Sequence, residues 1–427
     1  MKASLGLLVS ILMATVFPAS ASVVKVEKTA QGWQLMRDGK PYFAKGACVW
    51  GHDEWKFSAP IEELARAGAN SARTYHEADA QSTLDRSAKL GLTVTLGFDI
   101  TPARSGTDFS DEKTLAAIET RLRAYVQKYK SHPALLSWGL GNELELQRNE
   151  RRQREPIFRA VNRFAKVVKE LDPNHPTVIV VAGMTPDKAA EINEFCPDVD
   201  IVGINTYAGL ATMPVQLDAW KFERPYFVTE WGPDGHWESP HTSWKAPIEP
   251  TSVQKARQYE RAYLDGILGD GRRCLGSYAF IWGNKQEATG TWFGLFLKSG
   301  ERVNAQDSLT KLWTGRAPEF HCPTISPIKI EGEKFAAGIK IPISIAVSSV
   351  RPVQIEWQLA RESDDRKDGG DAERAPESWK EGITDLGGGK AEITLPQTAG
   401  AYRIFVIARD DKGGAATANV PLLIQKP

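Results

Sequence analysis

The chain has 427 residues, with 53 Lys and Arg balanced by 53 Asp and Glu. Zero net charge excludes electrostatic steering toward nucleic acid or an anionic membrane surface as an organising property, so the expected partner is uncharged. The length exceeds one small domain and suits a barrel of ~250–300 residues plus a module of ~100.

The first 21 residues read as a secretory signal peptide. Lys2 gives a positive start, Leu5 to Phe17 is almost wholly apolar, and Ala19-Ser20-Ala21 offers small residues for cleavage. The expectation is an exported protein, periplasmic or secreted. No later stretch reaches the ~18 apolar residues of a transmembrane helix. The four cysteines, Cys48, Cys196, Cys274 and Cys322, lack the CxxC spacing of a zinc or redox site. Export permits disulfides, but Cys48 and Cys274 sit in or beside predicted strands, where a small buried hydrophobe is the expected role.

The mature chain should open with a hairpin, Trp33 to Arg37 and Pro41 to Phe43, turned at Asp38-Gly39. Eight short apolar runs then alternate with amphipathic segments: Lys45 to Trp50, Ser71 to His76, Thr93 to Asp99, Leu135 to Glu143, Thr177 to Gly183, Ile201 to Tyr207, Tyr226 to Gly232 and Gly276 to Gly283. Helical spacing occupies Ile61 to Ala67, Ala80 to Leu90, Lys113 to Tyr129, Pro156 to Leu171 and Val253 to Leu268. Eight strands alternating with helices predict an α/β fold, a closed (β/α)8 TIM barrel, over residues 22–318 with its hairpin. Past Trp313, prolines 318, 323 and 327 mark a linker. Residues 325–427 should form a small all-β sandwich, immunoglobulin- or fibronectin-like in patterning, from Ile328 to Ile330, Ile339 to Val347, Val353 to Leu359, Ala391 to Leu395, Tyr402 to Ala408 and Ala418 to Ile424. Such a module either binds carbohydrate or braces the barrel, and bracing is expected. Arg361 to Glu377 is charged and glycine-containing, and reads as an exposed loop.

Chemistry in a barrel collects at the carboxyl ends of its strands. Two glutamates lie there after apolar residues that would hold them rigidly: Glu143 in Ser-Trp-Gly-Leu-Gly-Asn-Glu and Glu230 in Tyr-Phe-Val-Thr-Glu-Trp-Gly. Strands four and seven face each other across a barrel mouth, so both carboxylates can enter one cleft. A carboxylate in such a place is costly to desolvate without a partner. Aromatic residues at or after strand ends, Trp50, Trp55, Trp231, Trp237, Trp244, Trp282 and Trp292, can stack on sugar C–H faces or simply pack the core. His76, His236 and His241 could contact hydroxyls, Asp99 could bind substrate or cap a helix, and Gln286 and Glu287 should edge the cleft. Gly232 to Thr251 should shape its rim. The sequence holds no GxGxxG, GxxxxGK[ST] or HExxH, so neither nucleotide nor metal cofactor is signalled.

The Asn-Glu after an apolar fourth strand and the Thr-Glu-Trp-Gly of the seventh resemble the clan A retaining glycoside hydrolases, especially the barrels of families 2 and 5, over roughly residues 30–315. The resemblance implies a glycosidase acting on an oligosaccharide or polysaccharide, with Glu143 as acid/base and Glu230 as nucleophile forming a covalent glycosyl-enzyme. It further implies that Arg73 supports the nucleophile, Tyr207 hydrogen-bonds it, Asn142 binds the sugar 2-hydroxyl and Trp282 floors the catalytic subsite. Trp231, Trp50 and His76 are further substrate-binding candidates. A β-linked glycan, a β-glucan among the options, is the expected substrate. A transglycosylase with the same two glutamates and a noncatalytic carbohydrate-binding protein are the alternatives.

Overall fold

The structure is a computed structural model. It describes residues 22–50 and 56–426, without the side chains of Lys56 and Phe57. The signal-peptide reading and Trp55 therefore lie outside the described residues.

Eight parallel strands close a barrel in chain order: β1 (Ala44–Cys48), β2 (Ser71–Arg73), β3 (Thr93–Phe98), β4 (Leu135–Leu140), β5 (Thr177–Ala182), β6 (Ile201–Asn205), β7 (Tyr226–Trp231) and β8 (Cys274–Ala279). Each is followed by a helix: α1 (Ile61–Arg66), α2 (Ala80–Lys89), α3 (Glu112–Tyr129), α4 (Arg151–Leu171), α5 (Pro186–Phe195), α6 (Met213–Ala219), α7 (Ser252–Arg261) and α8 (Asn304–Thr314). This is the TIM barrel that the alternation predicts. Strand residues are buried on both faces, which explains their near-continuous apolar character. α4 shows how a helix joins this core: Ile157, Val161, Phe164 and Val168 recur at three- and four-residue spacing and are all buried. Each such side chain contributes ~1.5–3 kcal/mol by leaving water. α4 begins at Arg151, earlier than the expected Pro156, because Glu150 and Gln153 cap each other's backbone there.

The predicted hairpin forms, with Asp38 at φ 52° and Gly39 at φ 75° in its turn, and Val24–Thr29 adds a third strand. It lies over the amino end of the barrel, where Val24 N–H donates to Asn174 O and Trp33 N–H to Arg272 O, both just before barrel strands.

After α8 the chain builds two packed sheets, one of which also takes in Arg302–Val303 from just before that helix. Arg302–Val303, Gly414–Gln425, Gly400–Asp410, Val353–Arg361 and Ser378–Trp379 form one, with Lys334–Ala336 also on Gly414–Gln425; Lys340–Ser344, Lys390–Thr394 and Ile383–Gly387 form the other. Ile341, Ile343 and Ile393 meet Trp357, Leu359, Tyr402 and Ile404 between them, giving the expected sandwich. Residues 328–330 were expected as a strand, but only Lys329 bridges, to Ser344, so no ladder develops.

The sandwich is pinned to the barrel by Arg403. This buried guanidinium donates to both oxygens of Glu362 (3.0 and 2.9 Å), to Asn419 Oδ1 (2.6 Å) and to Pro247 O in the β7–α7 segment (2.7 Å). Truncating one member of such a buried pair costs ~3–5 kcal/mol, because the other charge stays desolvated and alone. All four cysteines are buried free thiols. No helix among the described residues is long and apolar enough to cross a membrane.

Candidate active site

A cavity of about 730 Å³ opens at the carboxyl ends of the strands and is lined by both Glu143 and Glu230. That volume falls within the ~300–1,000 Å³ usual for small-molecule sites.

Glu230 is buried near the end of β7, between a guanidinium and a phenol hydroxyl. Arg73, from the end of β2, donates from Nη1 to Glu230 Oε1 at 3.1 Å, and Tyr207 Oη donates to Oε2 at 3.1 Å. Arg73 is itself only 2% exposed, and its Nη2 donates to Asn142 Oδ1 at 2.6 Å. One planar guanidinium thus fixes two groups of the cleft at once.

Glu143 has a different setting. Asn205 Nδ2 donates to its Oε1 at 2.7 Å and to Asn142 Oδ1 at 3.2 Å, joining both glutamates in one network through Asn142 and Arg73. Burial, and then the charge of Glu230, push the Glu143 carboxyl up from 4.5 to about 8. Its backbone is also unusual, with φ at 50°, the left-handed region, directly after Gly141 at φ 74° and Asn142. Glu143 N–H donates to Val180 O at 3.0 Å. The neighbouring Glu145 carboxylate receives Ala182 N–H (2.9 Å) and Lys188 Nζ (2.8 Å), so the loop is tied to β5 on both sides of the bend.

The state of Glu143 sets a pH prediction. If it must donate a proton, kcat/KM of the free enzyme should fall as pH rises through about 8. Stability follows the same group. An unfolded glutamate ionises near ~4.3; above that value the folded chain holds a proton that the unfolded chain has lost. This contribution is full at low pH, declines as pH rises and is lost once pH passes the folded value. A pH–rate profile without a basic limb, or with one below pH ~6, would contradict the assignment.

Asn142 and Tyr207 line the cavity, as do Trp50, His76, Asp99, Trp237 and Glu287. His76 Nδ1 lies 3.6 Å from Asp99 Oδ1. Trp50 packs on Tyr75 with ring centroids 4.7 Å apart. Arg73 stands behind Glu230 and outside the cavity lining, so it positions groups and does not itself meet a ligand there.

Two expectations are corrected. Trp231 is fully buried against Tyr259 and Tyr263. Alternate strand residues face opposite ways, so Glu230 pointing into the mouth sends Trp231 outward to the helices. Trp282 is likewise fully buried, against Phe296 and Trp313, with its indole N–H donating to Pro60 O at 3.3 Å. β8 ends at Ala279, short of the expected Gly283, and Phe280, the residue after it, lines the cavity where Trp282 was expected to. Among the other aromatic candidates, Trp292 and His236 are buried, and Trp244 and His241 are absent from the lining; so is Gln286.

Sequence reasoning passed over Asn205 as a partner of Glu143, although it ends β6 in register with Glu230. Residues 361–377 are mostly exposed, as expected of a loop, but their middle, Lys367 to Ala372, also lines the cavity. Local composition carries no signal of this, since the barrel residues they meet lie more than 80 positions away or further.

Residues 51–246 match the family model for glycosyl hydrolases family 2, TIM barrel domain. The chain is 26% identical over 286 residues to a beta-glucuronidase of Paenibacillus borealis, covering 59% of this chain and 44% of that protein. It is 26% identical over 292 residues to a beta-glucuronidase of Streptococcus agalactiae, covering 60% and 46%. The chain thus spans under half the length of these relatives. Among solved structures it is similar in fold to Bacteroides uniformis beta-glucuronidase 2, with a TM-score of 0.52 at 18% identity, over 95% of this chain and 48% of that one. The barrel is therefore similar to the family 2 TIM barrel domain, and the chain resembles the retaining glycoside hydrolases of clan A.

Proposed function

We propose that the protein is a retaining β-glycosidase acting on a neutral β-linked glycan, with a β-glucan the first to test. The observation that carries this reading is the pair of glutamates in one cavity with opposed environments: Glu143 pushed up to about 8, Glu230 held by Arg73 and Tyr207. Retaining hydrolysis needs one carboxyl protonated and one ionised. Glu143 gives its proton to the leaving oxygen as Glu230 attacks the anomeric carbon. In the second step Glu143, now a carboxylate, takes a proton from water, whose oxygen displaces Glu230 and restores both groups. Asn142, fixed by Arg73, is placed to bind the 2-hydroxyl, an interaction that can strengthen as positive charge builds on the ring.

The neutral substrate is supported by charge. Asp99, Glu143, Glu230, Glu238, Glu287, Asp368 and Asp371 line the cavity. The lining cations are Arg104, which is paired with Asp371, and Lys367, whose Nζ donates to Ala372 O. A uronate would find both of these cations already engaged, and would meet the Asp368 carboxylate, whose side-chain donor is the neutral Gln147. The first 21 residues support export as part of the same reading.

A panel of aryl β-glycosides tests it. Cleavage of a neutral glycoside with retention of anomeric configuration is expected, with the glucuronide a much poorer substrate. Preference for the glucuronide would overturn the neutral-substrate reading, and an inverted product would overturn the mechanism. Adding an acceptor sugar tests hydrolysis itself: transfer products outweighing free sugar would make the protein a transglycosylase.

A further inference from the structure

The Glu143 side chain is gripped by one amide, and that amide is itself fixed at both ends. Among the described residues, Asn205 is the one hydrogen-bond donor to the Glu143 carboxyl, from Nδ2 to Oε1 at 2.7 Å; Oε2 takes none, in a side chain that lines the cavity. Asn205 closes β6 and is 3% exposed, with its carbonyl accepting from Gly183 N–H at 2.8 Å. A guanidinium can only donate, so Arg73 obliges Asn142 to present Oδ1, and that oxygen obliges Asn205 to present Nδ2, 3.2 Å away. The other end of the amide agrees, because the Thr229 hydroxyl donates to Asn205 Oδ1 at 2.7 Å. Thr229 is fully buried on β7 directly before Glu230, and it packs so closely on β6 that a Cβ on Gly203 would come within 2.7 Å of its methyl.

The Asn205 N–H does two things to the carboxyl it reaches. It occupies Oε1, and it favours the ionised form, against burial and the charge of Glu230, which favour the neutral one. These opposed demands belong to different halves of a double displacement. In the first half, the charge of Glu230 helps keep the proton on Glu143. Once Glu230 is esterified that charge is gone, and Glu143 must stand as a carboxylate in a site with Asn205 as its donor.

We propose that Asn205, oriented by Arg73 through Asn142 and by Thr229, is a positioning residue for the second half of the cycle: it fixes Oε1, so that Glu143 releases and recovers its proton at Oε2, and it holds Glu143 as the base when water arrives. The proposal rests on the glycosidase reading and gives Asn205 a role within it. In that step the water oxygen bonds to the anomeric carbon, the bond to Glu230 breaks with its electron pair returning to the carboxylate, and the water proton passes to Glu143 Oε2.

The test uses the full chain and neutral 2,4-dinitrophenyl β-glycosides, whose phenolate departs without a proton, so that the second step limits turnover. Asn205→Ala should lower kcat ~10–100-fold, the scale of one hydrogen bond to a charged group, while kcat/KM, which reports the first step, changes less than about threefold. KM should fall with kcat, and the glycosyl-enzyme should accumulate as a burst of released phenolate. Azide needs no base: its nitrogen bonds to the anomeric carbon, Glu230 leaves as the carboxylate and a glycosyl azide forms. Added azide should therefore restore kcat in the variant and leave the wild type nearly unchanged. Thr229→Val keeps the side-chain shape, removes only the hydroxyl and should show the same split at smaller size; it decides the matter if Asn205→Ala does not fold. An unchanged kcat, a kcat and kcat/KM that fall together, or a lowered kcat that azide does not raise overturns the Asn205 proposal alone. No cleavage of any aryl glycoside by the wild type overturns the glycosidase reading and the Asn205 proposal with it.

Discussion

Glu230→Gln should lower turnover of the best aryl β-glycoside on the order of 10⁴-fold or more, because no covalent intermediate can form without the nucleophilic carboxylate. Sugar binding should survive, since the amide keeps the shape of the side chain and its carbonyl can still accept from Arg73 or Tyr207. The substitution also removes the charge that helps push Glu143 upward, so the Glu143 carboxyl should ionise at lower pH in the variant. A carboxyl-labelled NMR titration measures that directly. Turnover within tenfold of wild type, or a Glu143 titration that does not move, would break the link between the two groups.

The second large effect belongs to a residue outside the cavity lining. Arg73→Ala removes the cation from a pair whose side chains are 2% and 8% exposed and leaves Glu230 charged in a nearly dry site. Losing one partner of such a pair costs ~3–5 kcal/mol of stability. Asn142 loses its 2.6 Å donor at the same time, so kcat should drop ~10²–10³-fold, the scale seen when a fixed electrostatic donor is removed. Arg73→Lys keeps the charge but lacks the fork that reaches Glu230 and Asn142 together, and should recover stability better than rate. Denaturant melts and single-turnover rates separate these effects. If Arg73→Ala were to lose stability with kcat intact, Arg73 would be structural only.

Much of this site is legible in the sequence for a specific reason. Barrel strands are apolar on both faces, so a charged residue at their ends stands out, and Glu143 and Glu230 both do. Arg73 and Tyr207 meet Glu230 as the resemblance implies. What strand periodicity and boundaries decide is harder to read. Trp231 faces the helices because its neighbour faces the mouth, and Trp282 misses the cavity because β8 stops at Ala279. The cavity-lining part of residues 361–377 is harder still: Asp371 meets Arg104 across 267 positions, and no local pattern of glycine and charge announces such a partner.

The left-handed bend at Glu143 has a cost that the protein bears continuously. An L-residue in that region gives up ~1–2 kcal/mol relative to ordinary helical or extended backbone, whereas glycine holds it without the side-chain clash. Glu143→Gly would therefore relieve the strain at this bend. On the proposed glycosidase reading, that strain is stored at the residue that handles the proton.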